Sequence, residues 1–287
     1  MEEKSVMVKR LPRWIRTQLP TGEKYSKVKN LIVEHDLHTI CTSGNCPNKG
    51  ECWSAGTASF MILGENCTRN CRFCAVKTVK PNLPDWGEPE RLAQSIKTLN
   101  LKHCVITSVA RDDLADGGAA FWVETIRQIR KLNPNTTMEV LIPDFQGRTD
   151  LIQQIIDKKP EVISHNLETV RRLTPRIRSM ATYKRSLQVL KYISSSGIIA
   201  KSGIMLGIGE MEREVFKAMD DLRDAGVKVL TIGQYLQPSS YHYDVQEYIT
   251  PEQFKKYKQA ALERGFKYVE SSPLVRSSYH AERHVNA

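Results

Sequence analysis

The sequence contains no uninterrupted apolar run near the ~18 residues that a membrane-spanning helix needs, and Met1-Glu-Glu-Lys lacks the charged, apolar, then small-residue pattern of a secretory leader. A cytoplasmic location is therefore expected. Collagen-like and low-complexity bias are absent too, and 40% hydrophobic with 26% charged residues excludes a disordered chain. With 287 residues the chain can bury a substantial core, so disulfide stapling is unnecessary. Its seven cysteines cannot all pair, and clustered thiols in a reducing compartment point to metal or redox chemistry. Negative charge is in deficit: 42 Lys plus Arg against 32 Asp plus Glu leaves +10. That excess suits nucleic acid, an acidic protein or anionic small molecules, and on its own does not choose among them.

Residues 1–57 read as an N-terminal extension. Thr21-Gly22-Glu23 can start a helix reaching Asp36, with Val28, Leu31, Ile32 and Leu37 as its apolar stripe, and the Gly-, Asn-, Pro- and Cys-rich stretch from 41 to 53 reads as a loop. From Ala58 onward, short β-branched or apolar runs alternate with amphipathic segments. Strands are expected near 58–63, 103–107, 137–142, 161–164, 198–206 and 227–232. Helices are expected near 88–99, 119–132, 149–158, 181–195, 212–225 and 251–264, with Pro89 and Thr250-Pro251 as helix starts. This alternation requires parallel strands with right-handed crossovers, hence an α/β fold built as a doubly wound sheet or a closed or partial barrel.

Polar residues collect after the strands: Cys67, Cys71 and Cys74; Thr107, Ser108, Arg111, Asp112 and Asp113; Pro143 and Asp144; His165, Asn166 and Glu168; Gly207, Gly209 and Glu210; Gln234 and Gln237. A single polar loop is ordinarily just solvated. Six at the same strand ends mark the end of such a fold where sites form. Gly207-Ile-Gly209-Glu210 is not a dinucleotide fingerprint, because position 212 is Glu and the cysteine loop occupies the first strand end.

The cysteines divide into Cys41-x4-Cys46-x5-Cys52, Cys67-x3-Cys71-x2-Cys74 and a lone Cys104, whose strand context makes it a buried small hydrophobe. Structural zinc normally takes four protein ligands from two knuckles, and neither triplet supplies them, although the looser first triplet keeps zinc open. A cubic iron–sulfur cluster held by three thiolates retains one iron for another ligand.

The second triplet, with Phe73 before its last cysteine, resembles the signature of the radical S-adenosylmethionine superfamily. Together with the first triplet and Arg276-Ser-Ser-Tyr-His-Ala281, the chain resembles the lipoyl synthase family nearly end to end. Supporting segments are Leu11-Pro-Arg-Trp-Ile-Arg16, Cys46-Pro-Asn-Lys-Gly-Glu-Cys52, Thr107-Ser-Val-Ala-Arg-Asp-Asp113, Asp116-Gly-Gly-Ala119, His165-Asn-Leu-Glu-Thr169 and Gln234-Tyr-Leu-Gln-Pro-Ser239. One departure is a His frequent in the family shortly after Asp-Gly-Gly-Ala, where this chain has Phe121 or Trp122.

The resemblance implies a partial (β/α)6 barrel over 58–265, TIM-like, between the 1–57 extension and a 266–287 segment. It implies that Cys67, Cys71 and Cys74 hold a four-iron, four-sulfur (4Fe-4S) cluster whose open iron chelates S-adenosylmethionine. Asn166 and Glu168 would then contact that molecule. Cys41, Cys46 and Cys52 would hold an auxiliary 4Fe-4S cluster, with Ser278 preferred over Ser277 as its fourth ligand. The implied reaction inserts sulfur at C6 and C8 of an octanoyl group on a lysine of a lipoyl carrier domain. Those C–H bonds are beyond general base catalysis, so the cofactor carries the hard step. Reductive cleavage of S-adenosylmethionine would give the hydrogen-abstracting radical, the auxiliary cluster would donate sulfur, and two S-adenosylmethionine molecules would serve each lipoyl group.

Implied partners are carrier domains of 2-oxoacid dehydrogenase E2 subunits and the glycine cleavage H protein, with ferredoxin or flavodoxin as reductant. Neither nucleic acid nor membrane is expected. Alternatives are a radical S-adenosylmethionine tRNA methylthiotransferase, against which no appended RNA-binding domain follows the barrel, and a non-catalytic zinc-binding nucleic-acid module.

Overall fold

A computed structural model of the chain describes residues 11–286 apart from Gln18; the opening Met1-Glu-Glu-Lys and Ala287 lie outside the described residues. Helix α1 (Glu23–Glu34) buries Val28 and Leu31 from its expected stripe, and Leu37 is buried just beyond it. Strand β1 (His38–Thr39) pairs antiparallel with β2 (Ser59–Ile62), so the extension joins the sheet of the barrel.

Between them, helices α2 (Ile40–Ser43) and α3 (Lys49–Ser54) replace the loop expected over 41–53. Thr39 Oγ1 accepts the Thr42 N–H at 3.3 Å and caps α2. The Gly44, Asn45 and Pro47 punctuation marks only the gap between two short helices. Cys41 lies in α2, Cys52 in α3 and Cys46 between them.

Along the rest of the chain come β3 (Asn66–Cys67), β4 (Lys77–Thr78), α4 (Glu88–Thr98), β5 (His103–Ser108), α5 (Ala119–Leu132), β6 (Thr137–Leu141), α6 (Thr149–Ile156), β7 (Val162–Ser164), α7 (Thr174–Ile177), α8 (Tyr183–Ser195), β8 (Ile199–Leu206), α9 (Glu212–Asp224), β9 (Val229–Gln234), α10 (Pro251–Glu263) and β10 (Tyr268–Ser271). The six expected strands are β2, β5, β6, β7, β8 and β9. The sheet has eight strands in the order β1-β2-β5-β6-β7-β8-β9-β10, all pairs beyond the first being parallel, as in a partial barrel. Strand β10 is an addition to the sequence reading. Its Tyr-Val-Glu-Ser is four residues long with one fully buried member, so it carries little pattern.

Helices cover the outside of the strands. From α4, Leu92, Ala93 and Ile96 are buried, and from α5 Phe121, Trp122, Ile126 and Ile129, each large apolar side chain contributing roughly 1.5–3 kcal/mol by leaving water. Phe121 and Trp122 are thus core residues and do not reach the cavity. Cys104 is buried among the apolar residues of the same core. Pro89 and Pro251 occupy first-turn positions as expected, and Thr250 Oγ1 accepts the Gln253 N–H at 3.3 Å.

The register decides what faces the interior. Met61 pairs with Thr107, Thr107 with Leu141, Leu141 with Ser164 and Ser164 with Lys201, a continuous row across the sheet. Alternation then puts Glu139 on the same face as Leu141, and Gly203 and Met205 on the face of Lys201.

Candidate functional site

A cavity of about 480 Å³ opens at the C-terminal ends of the strands. Its lining includes Cys41 and Cys46 of the first triplet, all three cysteines of the second, Asn166, Glu168, Ser277 and Ser278. Cys52 is not among the lining residues; it lies behind, near enough for Cys41 and Cys46 to raise its pKa by their charge. All seven cysteines are free thiols.

The second triplet sits on a loop that leaves β2 through Leu63 and Gly64, both in the left-handed region at φ 68° and 87°. Glu88 Oε2 accepts the Leu63 N–H at 3.0 Å and Arg111 donates to its carbonyl at 3.4 Å, so both peptide groups of that turn are held. Arg69, inside the triplet, anchors the loop from beneath. Its Nε and Nη2 each lie 2.7 Å from an Asp112 oxygen, and Nη2 also lies 2.7 Å from Asp144. Burial works against ionising Asp112, yet the hydrogen bonds and charge of Arg69 hold its carboxyl down at about 2. The Cys67 sulfur receives N–H groups from Arg69 at 3.4 Å and Ala110 at 3.3 Å.

Burial raises the thiol pKa of Cys41, Cys46 and Cys67 and pushes Cys52 and Cys74 up to about 12, with neighbouring thiols adding to the effect for Cys41, Cys52, Cys67 and Cys74. Such thiols stay neutral without a metal and lose their protons to one that binds. Among the described residues, no three Cys, His, Asp or Glu side chains converge to hold a single metal ion. Within each triplet the thiols are near enough to influence one another's ionisation.

Asn166 and Glu168 both line the cavity. Desolvation raises the pKa of the half-buried Glu168 carboxyl, and Arg178 and Asn166 oppose the rise. Glu168 is itself left-handed at φ 69°, held by its N–H to Gly203 O at 2.9 Å and by its carbonyl, which accepts Met205 N–H at 2.8 Å. Asn166 Oδ1 and Ser108 Oγ are buried without a partner beside the cavity, polar atoms prepared for something that enters it. Gly203 is required here: a Cβ would meet Thr231 Oγ1 at 2.7 Å and Asn166 Oδ1 at 3.0 Å.

Other residues singled out by position have structural work. His165 is fully engaged, Nδ1 with Ile142 O at 3.0 Å and Nε2 with Ser186 Oγ at 2.9 Å, and burial pushes its pKa down to about 4. Gln234 spends its amide on the Leu206, Tyr235 and Glu247 carbonyls and the Ile249 N–H. Arg178 was missed by the sequence reading; it lines the cavity and donates to Ser186 Oγ at 2.7 Å.

The first triplet meets the C-terminal segment. Asn48 donates to Leu274 O at 2.7 Å, and Tyr279 OH donates to Glu51 Oε1 at 3.0 Å. Cys46 and Arg276 are close enough for their charges to interact. Val275 O packs where a Cβ on Gly233 would sit, so only glycine permits this approach. Ser277 and Ser278 are thereby delivered to the cavity wall, while apolar Met61, Phe73, Leu141, Ile204, Met205 and Leu236 supply the rest of a largely hydrophobic lining.

Known proteins resemble the chain in sequence and in fold. Residues 61–222 match the radical SAM superfamily, and residues 1–46 match the N-terminal domain of lipoyl synthase of that family. A lipoyl synthase of Christiangramia forsetii is 60% identical over 276 residues, covering 96% of this chain and 94% of that protein. A mitochondrial lipoyl synthase of Nematostella vectensis is 58% identical over 276 residues, covering 96% and 95%. Among solved structures, Streptococcus suis SuiB bound to S-adenosylmethionine aligns over 75% of this chain and 50% of its own with TM-score 0.59 at 10% identity. The hydrogenase maturase HydG aligns over 92% and 74% with TM-score 0.55 at 12% identity. At those identities the structural matches speak for the fold alone.

Proposed function

Because the chain belongs to the lipoyl synthase family of the radical SAM superfamily, we propose how its own residues divide the work of inserting sulfur into a carrier-bound octanoyl chain. It is a sulfurtransferase that uses S-adenosylmethionine and a 4Fe-4S cluster and acts on a lipoyl carrier. When bound, those groups supply the one-electron chemistry that removes hydrogen from unactivated carbon.

In our reading Cys67, Cys71 and Cys74 hold that cluster. Arg69, locked on Asp112 and Asp144, keeps the three sulfurs aimed into the cavity. The buried, unpartnered Asn166 Oδ1 supports a polar ligand at that spot, and Asn166 with Glu168 would grip S-adenosylmethionine through its donor groups. The apolar lining excludes water and suits an alkyl chain.

Cys41, Cys46, Cys52 and Ser278 would hold a second 4Fe-4S cluster, which serves as the sulfur-donating substrate. Serine oxygen is a harder and poorer partner for cluster iron than thiolate, which favours release of that iron as sulfide is removed. In this reading residues 1–57 carry auxiliary ligands, 58–265 the six-stranded core of the barrel, and 266–287 both β10, which extends its sheet past residue 265, and Ser278. The observation that supports this division is that Cys41 and Cys46 of the first triplet, all three cysteines of the second, and Ser278 line one cavity.

Iron and sulfide analysis after anaerobic reconstitution tests it. About eight irons per chain are expected, and replacing either triplet by alanines should leave about four. Full iron retained in either variant, complete loss of iron from one of them, or zinc in place of iron, would overturn the assignment. Octanoylated domains of 2-oxoacid dehydrogenase E2 subunits and the glycine cleavage H protein are the expected carriers, with ferredoxin or flavodoxin as reductant, in the cytoplasm. Among the described residues no helix is long and apolar enough to cross a membrane. The +10 charge favours docking of acidic carrier domains. Carrier affinity should fall as salt rises through the physiological range, and an unchanged affinity would remove the charge from the account.

A further inference from the structure

Two residues below the cavity-lining Leu141 and Gly203, on the same inward faces of β6 and β8, lie Glu139 and Lys201. Both are completely buried, and Lys201 Nζ is 2.7 Å from each Glu139 oxygen. Ser164 Oγ donates to Glu139 Oε1 at 2.7 Å. The remaining partner comes from the far end of the chain: His284 Nδ1 lies 2.9 Å from Lys201 Nζ, itself 0% exposed, with its ring edge-on to Tyr268 at 4.7 Å. With Lys201 charged, its ammonium only donates, so Nδ1 accepts and the His284 proton sits on Nε2, which is buried without a partner among the described residues. The 3.9 Å separation between His284 and Glu139 is too long for a hydrogen bond.

This geometry does more than fill space. A fully buried ammonium with a missing acceptor is costly, so the pair in the barrel wall selects one seat for His284. The terminal 3-10 helix, Ala281–Asn286, is pinned by that contact. Six residues upstream is Ser278, and above it the segment is fixed by Asn48 on Leu274 O and by Val275 against Gly233. Between the two anchors, the contacts of residues 276–280 among the described residues are mostly local, namely backbone turns, Arg276 to Val275 O and His280 to Glu282, with the bond from Tyr279 to Glu51 as a long-range hydrogen bond.

We propose that Glu139, Lys201 and His284 form a latch that sets the register of the C-terminal segment and so holds Ser278 against the 41–52 loop. They are positioning residues. The proposal rests on the reading of Ser278 as a ligand of the second cluster, and the test separates the two.

Amide hydrogen exchange over 276–286 is measured in the cluster-free full-length chain, and iron per chain after anaerobic reconstitution, for the wild type, His284→Ala, His284→Asn, Ser278→Ala and the double variant Glu139→Leu with Lys201→Met. The double variant removes both charges together, a change that buried pairs commonly tolerate, so it keeps the test valid if His284→Ala unfolds. Expected in His284→Ala and the double variant are exchange at least about tenfold faster over 276–286, with barrel strands unchanged, and a fall from about eight toward about four irons. Asn, whose Oδ1 can accept from Lys201, should restore both. Unchanged exchange in His284→Ala and in the double variant would overturn the latch, as would faster exchange with full iron retained when Ser278→Ala does lose iron. If Ser278→Ala itself keeps all its iron, the ligand reading of Ser278 fails, and exchange alone then decides the latch.

Discussion

Arg69 lies between two cavity-facing cysteines, and its guanidinium grips Asp112 with two bonds of 2.7 Å while touching Asp144 at the same distance. The loop that presents Cys67, Cys71 and Cys74 is therefore tied to the ends of β5 and β6 by one side chain. Lysine cannot reproduce that fork. Arg69→Lys should lower unfolding stability by about 2 kcal/mol through lost charge-assisted bonds. The same variant should lose iron from the Cys67 triplet, read as iron per chain beside a denaturation curve.

Gly203 offers a sharper probe of the S-adenosylmethionine contact. Gly203→Ala would bring a Cβ within 3.0 Å of Asn166 Oδ1 and 2.7 Å of Thr231 Oγ1. Displacing Asn166 should weaken S-adenosylmethionine binding by roughly tenfold, equivalent to about 1.4 kcal/mol. Iron content should be unchanged. Calorimetric titration of the reconstituted protein checks this, and wild-type affinity in the variant would remove Asn166 from the site.

Ser278→Cys should keep a full complement of iron, because thiolate is a better cluster ligand than hydroxyl oxygen, yet turn over poorly for the same reason. Product formed per chain and iron per chain, measured on one preparation, separate the two effects. Unimpaired sulfur insertion would show that the weak ligand has no role in releasing iron.

Glu88 gives the molecule a pH dependence of definite sign. Burial pushes its carboxyl up to about 7 from an ordinary 4.5, against the Leu63 N–H that favours the ion. Between those values the folded chain binds more protons than the unfolded one, so this group's contribution is full below pH 4.5 and is lost as pH rises through about 7. Glu88→Gln should flatten the thermal midpoint over that window relative to the wild type. An identical slope in both would place the titration elsewhere.

The six central strands and their helices were legible because fully buried parallel strands and amphipathic covering helices carry opposite periodicities. The cysteine triplets were legible from spacing alone. The helices α2 and α3 were not, since Gly44 and Pro47 dominate a stretch whose helical turns are only four and six residues long. Arg69, Arg178 and the group of Lys201, Glu139 and His284 escaped for a different reason. Their partners are distant in sequence: Lys201 and His284 are 83 positions apart, and only folding reveals which charge a mid-strand lysine faces. Lys201 within Ile199-Ala-Lys-Ser-Gly and Glu139 within Thr137-Met-Glu-Val-Leu did carry a signal, because a charge inside a buried strand demands a partner. Phe121 and Trp122 are buried and do not line the cavity.

The proposed function requires both cysteine triplets for inserting sulfur into an octanoyl chain. Mass spectrometry of an octanoyl-lysine peptide, after anaerobic incubation with the reconstituted protein, S-adenosylmethionine and a reductant, tests it most directly. The account predicts a product that has gained two sulfur atoms, formed by the wild type and absent when either triplet is replaced. An unmodified peptide with the intact protein, or sulfur insertion that survives loss of Cys41, Cys46 and Cys52, would contradict it.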